Sequence, residues 1–157
     1  MTKILIRQMN LEEVKEVSQF VHRVFNNFIA PDYSKEGIFT FKRINEPAAI
    51  EKRSRENHFV LIASVDNFMA GVMEISDYRH ISMLYVDGRY QNRGIAKSLL
   101  ATAVNKILKQ CPDLDFITVN SSPYGIKAYE KLGFQKTDEE QEVQGLRFLP
   151  MKKFLFN

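Results

Sequence analysis

Apolar and polar side chains alternate from Ile4 to Met9, which predicts a first strand. Asn10 can then cap a helix from Leu11 to about Phe25, along which Val14, Val17, Phe20, Val21 and Val24 fall on one stripe. From Phe25 to Ile44 the pattern loses a single period. Phe25, Phe28, Tyr33, Phe39 and Phe41 are spread around Pro31 and Gly37, which predicts short helices and loops. Pro47 suits the first turn of another helix, ending near Asn57. Two β-branched and aromatic runs, His58 to Val65 and Phe68 to Ser76, flank Asp66-Asn67, a pair that tolerates the positive φ of a tight hairpin, so they should pair antiparallel. Arg79 to Val86 reads as a third strand of this group.

Beyond Val86 the rhythm changes to that of a crossover. Asp87-Gly88 closes the strand, a helix follows from about Gly94 to Gln110, and Pro112 stops it. Leu114 to Asn120 is a strand, Pro123 to Leu132 a short helix, and Phe134 onward a strand pair turning near Gly145. The order predicts one α/β (α+β) domain spanning residues 1–157, a mixed sheet with helices on both faces. Only Ile81 to Leu132 has the rhythm of parallel strands, so the chemistry is expected there.

Composition narrows the classes. Hydrophobic residues at 45% and charged residues at 26% place the chain with globular proteins rather than disordered ones. A net charge of +3, from scattered basic residues, gives no reason to expect nucleic acid as a partner and suits a polyanionic cofactor equally well. The lone Cys111 has no internal disulfide partner, and no Cys/His cluster has zinc spacing, so no metal is expected and a reducing compartment is. The first residues carry too short an apolar run for a signal peptide, and no stretch reaches membrane-spanning length; the expected location is the cytoplasm, away from membranes.

The candidate chemistry lies at Gln91-Asn92-Arg93-Gly94-Ile95-Ala96-Lys97, between a strand and a helix. Amides at a helix start lack intrahelical partners, the helix dipole adds positive charge, and small residues at Gly94 and Ala96 let an anion approach the main chain. Such a turn fits a pyrophosphate, with Arg93 and Lys97 adding charge. It is neither a Walker motif nor a dinucleotide fingerprint.

The run from Leu84 to Ala96 resembles the acetyl-CoA signature of the Gcn5-related N-acetyltransferase superfamily, Gln/Arg-x-x-Gly-x-Gly/Ala, matched at Gln91, Gly94 and Ala96. A second signature of that family resembles Tyr129-Glu130-Lys131-Leu132-Gly133-Phe134. The resemblance implies a mostly antiparallel sheet with a central pair of parallel strands that splay apart. Acetyl-CoA would be the co-substrate, its pantetheine bonded to the main chain of Leu84, Tyr85 and Val86 and its pyrophosphate held by Asn92 to Lys97. One of those strand amides would steady the oxyanion. Tyr129 occupies the position that protonates the departing thiolate. Where many relatives carry Asn seven positions before that tyrosine, this chain has Ser122, so either Ser122 or Asn120 is the cofactor contact, or Ser122 is only a helix cap. His80 stands about where relatives place an acidic base, with Glu74 in reserve or as a solvated charge. The resemblance further implies an amine acceptor of unspecified identity and is compatible with a homodimer; the alternative is a catalytically inactive acyl-CoA-binding sensor or interaction module.

Overall fold

The computed structural model describes residues 3–155. Strand β1 (Ile4–Gln8) leads through a 3-10 turn at Leu11–Glu13 into α1 (Val14–Phe28), followed by α2 (Lys35–Ile44) and α3 (Pro47–Ser54). Next come β2 (His58–Val65), β3 (Phe68–Ser76), β4 (His80–Val86), α4 (Ile95–Gln110), β5 (Phe116–Ser121), α5 (Ile126–Lys131), β6 (Gln135–Lys136), β7 (Gln141–Val143) and β8 (Leu146–Phe154). The predicted first helix is thus displaced toward its C-terminal end. Its first turn winds as 3-10 because Glu13 folds back to accept the Asn10 amide at 2.9 Å while also pairing with Arg7. The predicted stripe of Val14, Val17, Phe20, Val21 and Val24 is buried throughout. Ser34 caps α2, its hydroxyl accepting from the Gly37 amide at 3.1 Å, and Pro47 opens α3. Asp66 and Asn67 hold φ values of 50° and 68°, the left-handed pair that turns β2 into β3.

The strands lie in the order β1-β2-β3-β4-β5-β8-β6, with β7 pairing β8 off this path. All the ladders are antiparallel except β4 with β5. Each face of the sheet has its own core. On one side α4 and α5 bring Ile95, Leu99, Ala103, Ile107 and Tyr129 onto Leu61, Met73, Ile81 and Val119. On the other, α1, α2 and α3 bring Val17, Val21, Phe25, Phe41 and Ile50 onto Val60, Ile62, Val72 and Met83. None of the described helices is long and apolar enough to cross a membrane.

Two irregularities shape the centre. Ile75 pairs with Ile81 and Glu74 with Met83, so Ser82 is an extra residue in β4. That bulge reverses the alternation: Ile81 faces α4, whereas Met83, two residues on, faces α1. The parallel ladder, moreover, consists only of His80 with Thr118 and Ile81 with Val119. Beyond that point β4 continues to Val86 paired on its β3 side alone.

Helix α2 reaches across to the β7–β8 hairpin on the far side of this parting. The Tyr33 hydroxyl donates to the Arg147 carbonyl at 2.9 Å and the Thr40 hydroxyl to the Gln144 carbonyl at 2.8 Å. Between them two glycines touch main chain to main chain, so close that a Cβ on Gly37 would stand 2.3 Å from the Gly145 carbonyl oxygen. Gly37→Ala therefore has to separate the helix from the hairpin, and we expect it to cost about 1–3 kcal/mol in denaturant unfolding. A variant as stable as the parent would show that this contact gives way freely.

Candidate active site

Gly94 caps α4 in the left-handed conformation, at φ 81°, and a Cβ built there would meet nothing within 4 Å. The glycine is needed for its backbone angle, and the space beside it is open. The first α4 hydrogen bond runs from Ser98 N–H to the Gly94 carbonyl at 2.9 Å, and no side chain caps the helix. The amides of Ile95, Ala96 and Lys97 precede that bond and point out of the helix start. Asn92 is also left-handed, at φ 63°, which curls the turn, and Gln91 ties it back to the strand by donating to the Val86 carbonyl at 3.2 Å. Asn92, Arg93 and Lys97 are exposed around the turn, and the Arg89 and Arg93 guanidiniums lie on the Tyr90 ring, 5.5 and 5.7 Å from its centroid. The helix start lies between the expected strand and helix, with Gly94 at the N-cap rather than as the first helical residue.

Leu84, Tyr85 and Val86 lie where β4 has left β5, next to this turn. Leu84 and Val86 pack toward α4, Tyr85 toward α1 and α2. The Tyr85 ring meets Phe41 edge-on at 5.8 Å, and Phe41 stacks on Phe25. Burial pushes the Tyr85 phenol well above its ordinary range, and the nearby Tyr129 phenol raises it further.

Tyr129 projects from α5 into the α4-side core, edge-to-face with Phe134 at 5.3 Å. Burial pushes its phenol well up, so it stays protonated across the physiological range. Ser122 is a cap: its hydroxyl accepts from the Gly125 amide at 3.2 Å, opening the turn that leads to α5. Asn120 is exposed on β5, one strand position from the parting, and is the freer of the two residues.

His80 stands at the closed end of the parting, its Nδ1 2.7 Å from the Thr118 hydroxyl. Because Ile81, Ile117 and Val119 face α4, the alternating His80 and Thr118 face the α1 side. Burial lowers the His80 pKa against an opposing pull from Asp77, and so favours the neutral ring at pH 7. Glu74 is not the solvated charge anticipated as one of its two readings. It is fully buried, and Arg53 from α3 donates to its two oxygens at 3.2 and 3.1 Å. Arg53 also binds the Asn45 side chain, and Ser18 binds the Asn45 carbonyl at 2.6 Å, so the carboxylate anchors α1, α2 and α3 to the sheet. An acidic residue inside the apolar run Val72-Met73-Glu74-Ile75 was the available signal of burial. No group of three or more metal-ligating side chains occurs among the described residues.

A family model described as an acetyltransferase (GNAT) domain matches residues 29–155. No curated protein matches the chain. Similar solved structures include a GCN5-related N-acetyltransferase from Rhodopseudomonas palustris, 21% identical over 99% of this chain and 98% of that one, with a TM-score of 0.84. The PaiA N-acetyltransferase of Thermoplasma acidophilum, solved in complex with coenzyme A, is 21% identical over 97% of this chain and 99% of its own, with a TM-score of 0.78. A GNAT-family acetyltransferase from Staphylococcus aureus is 16% identical over 98% of this chain and 100% of its own, with a TM-score of 0.76. The mixed sheet and its helices are the fold these proteins share.

The His80 environment has a sign that can be checked. A histidine whose folded pKa lies below the unfolded value of about 6.5 stabilises the fold fully above that pH, and the contribution is lost as pH falls through the folded pKa. We expect His80 to titrate below 6.5 by NMR and His80→Gln to flatten the stability loss below that pH. A midpoint above 6.5 would contradict the burial.

Proposed function

The chain belongs to the GNAT acetyltransferase family, and from that premise we propose that it moves an acetyl group from acetyl-CoA to a primary amine by direct attack. The observation that carries the reading is the parting of β4 and β5 beside a helix start that has a left-handed glycine and no side-chain cap. A diphosphate fits there because the open space at Gly94 leaves the amides of Ile95, Ala96 and Lys97 accessible, with Asn92, Arg93 and Lys97 around them. An extended amide-bearing arm fits the parting, because the main chain of Leu84, Tyr85 and Val86 has a vacant strand position on its β5 side.

The co-substrate supplies an acyl carbon activated as a thioester. An arm running from the turn along Val86 toward Leu84 brings that carbon into the parting, short of where the strands rejoin at Ile81 and Val119. The residues around this point divide by face. A strand amide among Leu84 to Val86 polarises the carbonyl and steadies the charge that builds on its oxygen. His80, neutral and on the α1 side, accepts the proton that the amine gives up, directly or through water. As the N–C bond forms and the C–S bond breaks, Tyr129, on the α4 side, gives its proton to the sulfur. Its raised pKa keeps that proton in place beforehand, and a thiol leaving into the same buried surroundings is itself made more basic. Gln91 positions the turn by holding the Val86 carbonyl, and Asn120 faces the acceptor side of the parting. Ser122 acts as a cap that sets α5, and with it Tyr129. The lone Cys111 fits a cytoplasmic protein.

Release of free thiol from acetyl-CoA, followed across a panel of amines, tests the reaction. Tyr129→Phe should lower kcat by about 10²-fold or more while leaving calorimetric affinity for coenzyme A unchanged. A well-folded parent protein with no affinity for the coenzyme would refute the assignment, and unchanged kcat in the variant would remove Tyr129 from its role.

A further inference from the structure

A cleft of about 540 Å³ lies between α1 and the turn that follows β4, lined by Arg23, Asn27, Phe28, Asp87, Gly88 and Arg89. None of these residues has a part in the chemistry above, yet the cleft begins at the residue directly after Val86. Asp87 sits at its centre with a nearly buried carboxylate, 9% exposed, that is saturated with donors. It accepts from Arg23 Nη2 at 2.9 Å, from the Arg89 amide at 2.9 Å, and from Arg89 Nε and Nη2 at 3.2 and 3.3 Å. Burial alone would raise its pKa, but the guanidiniums and the Arg89 amide outweigh that and hold it ionised. Two guanidiniums on one carboxylate leave the cleft with a single net positive charge.

Both guanidiniums keep N–H donors beyond those given to Asp87. Arg23 spends one of its five N–H groups on Asp87, its side chain is 52% exposed, and it lies against the Phe20 ring, 5.2 Å from the centroid. Arg89 is 68% exposed. Phe28 makes the wall apolar: it packs so closely on the turn that a Cβ on Gly88 would stand 2.5 Å from its Cζ. A guanidinium beside an apolar wall holds an oxyanion more firmly than one in open water. The cleft is built on α1, the helix that covers the His80 side of the sheet, whereas the diphosphate turn starts α4 on the opposite side.

We propose that the Arg23–Asp87–Arg89 cleft is an oxyanion subsite that holds a carboxylate or phosphate carried by the amine acceptor, which makes the acceptor an anionic amine. This rests on the acetyl-transfer reading, with coenzyme and acceptor approaching from opposite faces.

The test uses binding rather than turnover. Arginine Nε–H resonances of Arg23 and Arg89 are followed by NMR in protein saturated with coenzyme A, at low ionic strength. N-acetylglycine and inorganic phosphate are the anionic probes, and N-acetylglycinamide is the uncharged control. We expect saturable shifts with an anionic probe and none with the amide. Arg23→Gln should weaken binding about fivefold, the effect of removing one partly exposed charge. Asp87→Asn keeps the hydrogen-bond acceptor for Arg89 but raises the net charge, so it should tighten binding by a similar factor, a direction that a purely structural cluster would not give. Absence of saturable shifts, equal shifts with the amide, or weakening in both variants overturns the proposal. Binding seen only without coenzyme also overturns it, because the arginines would then serve the donor's phosphates. Failure of coenzyme binding itself would instead strike the acetyl-transfer reading, and the same probes on coenzyme-free protein would still report on the cleft.

Discussion

The rest of the structure depends on the place where two central parallel strands stop bonding to each other. Peptide groups inside a sheet are expensive to leave unpaired, so a ladder that ends after His80–Thr118 and Ile81–Val119 while β4 runs on to Val86 needs a reason. The folded chain provides one on each side. β3 pairs with β4 on both sides of the Ser82 bulge, Leu84 to Val86 included, and β8 pairs with β5 from Phe116 to Ser121. The two strands are therefore held apart by their outer neighbours, and the slot between them is a preformed strand position.

The two faces of that slot differ in a way that suits a reaction between an anionic thioester and an amine. On the α4 side stand the amide turn and the Tyr129 phenol; on the α1 side stand His80, Tyr85 and the arginine-lined cleft. The α1 side is also the more heavily braced. Glu74 and Arg53 pull α1, α2 and α3 together through Asn45 and Ser18, and the aromatic series Tyr33, Phe25, Phe41 and Tyr85 passes from the turn before α2 to the edge of the slot. A rigid frame of this kind keeps His80 and the arginine-lined cleft at set distances from the strand main chain.

Much of this is legible in the sequence wherever the cause is local. Asp66-Asn67 dictates the β2–β3 turn, the α1 stripe dictates its buried face, and Gly94 with Ala96 marks the amide turn, because each depends on residues a few positions apart. The parting of β4 and β5 leaves no trace in periodicity, since Arg79 to Val86 reads as one uninterrupted strand; it came only through the resemblance carried by Gln91, Gly94, Ala96 and the Tyr129 motif. The Ser82 bulge is equally silent. So are the pairings made across long stretches of chain, Arg53 with Glu74 and Arg23 with Asp87, which make Glu74, read as a reserve base or a solvated charge, an internal anchor and bring Asp87, read only as closing a strand, into a cleft. Ser122 was readable both ways, and its bond to the Gly125 amide shows it to be a cap.

The position of β8 has a consequence for how the molecule is made. It is the last described strand along the chain, yet it lies inside the sheet, between β5 and β6, and it carries the hairpin that meets α2. Until residues 146–154 have left the ribosome, β5 presents a bare strand edge and the slot has lost one of its two outer braces. Nascent chains must therefore wait with their central layer incomplete, and for that interval a chaperone or a neighbouring polypeptide can compete for the edge that β8 will later cover.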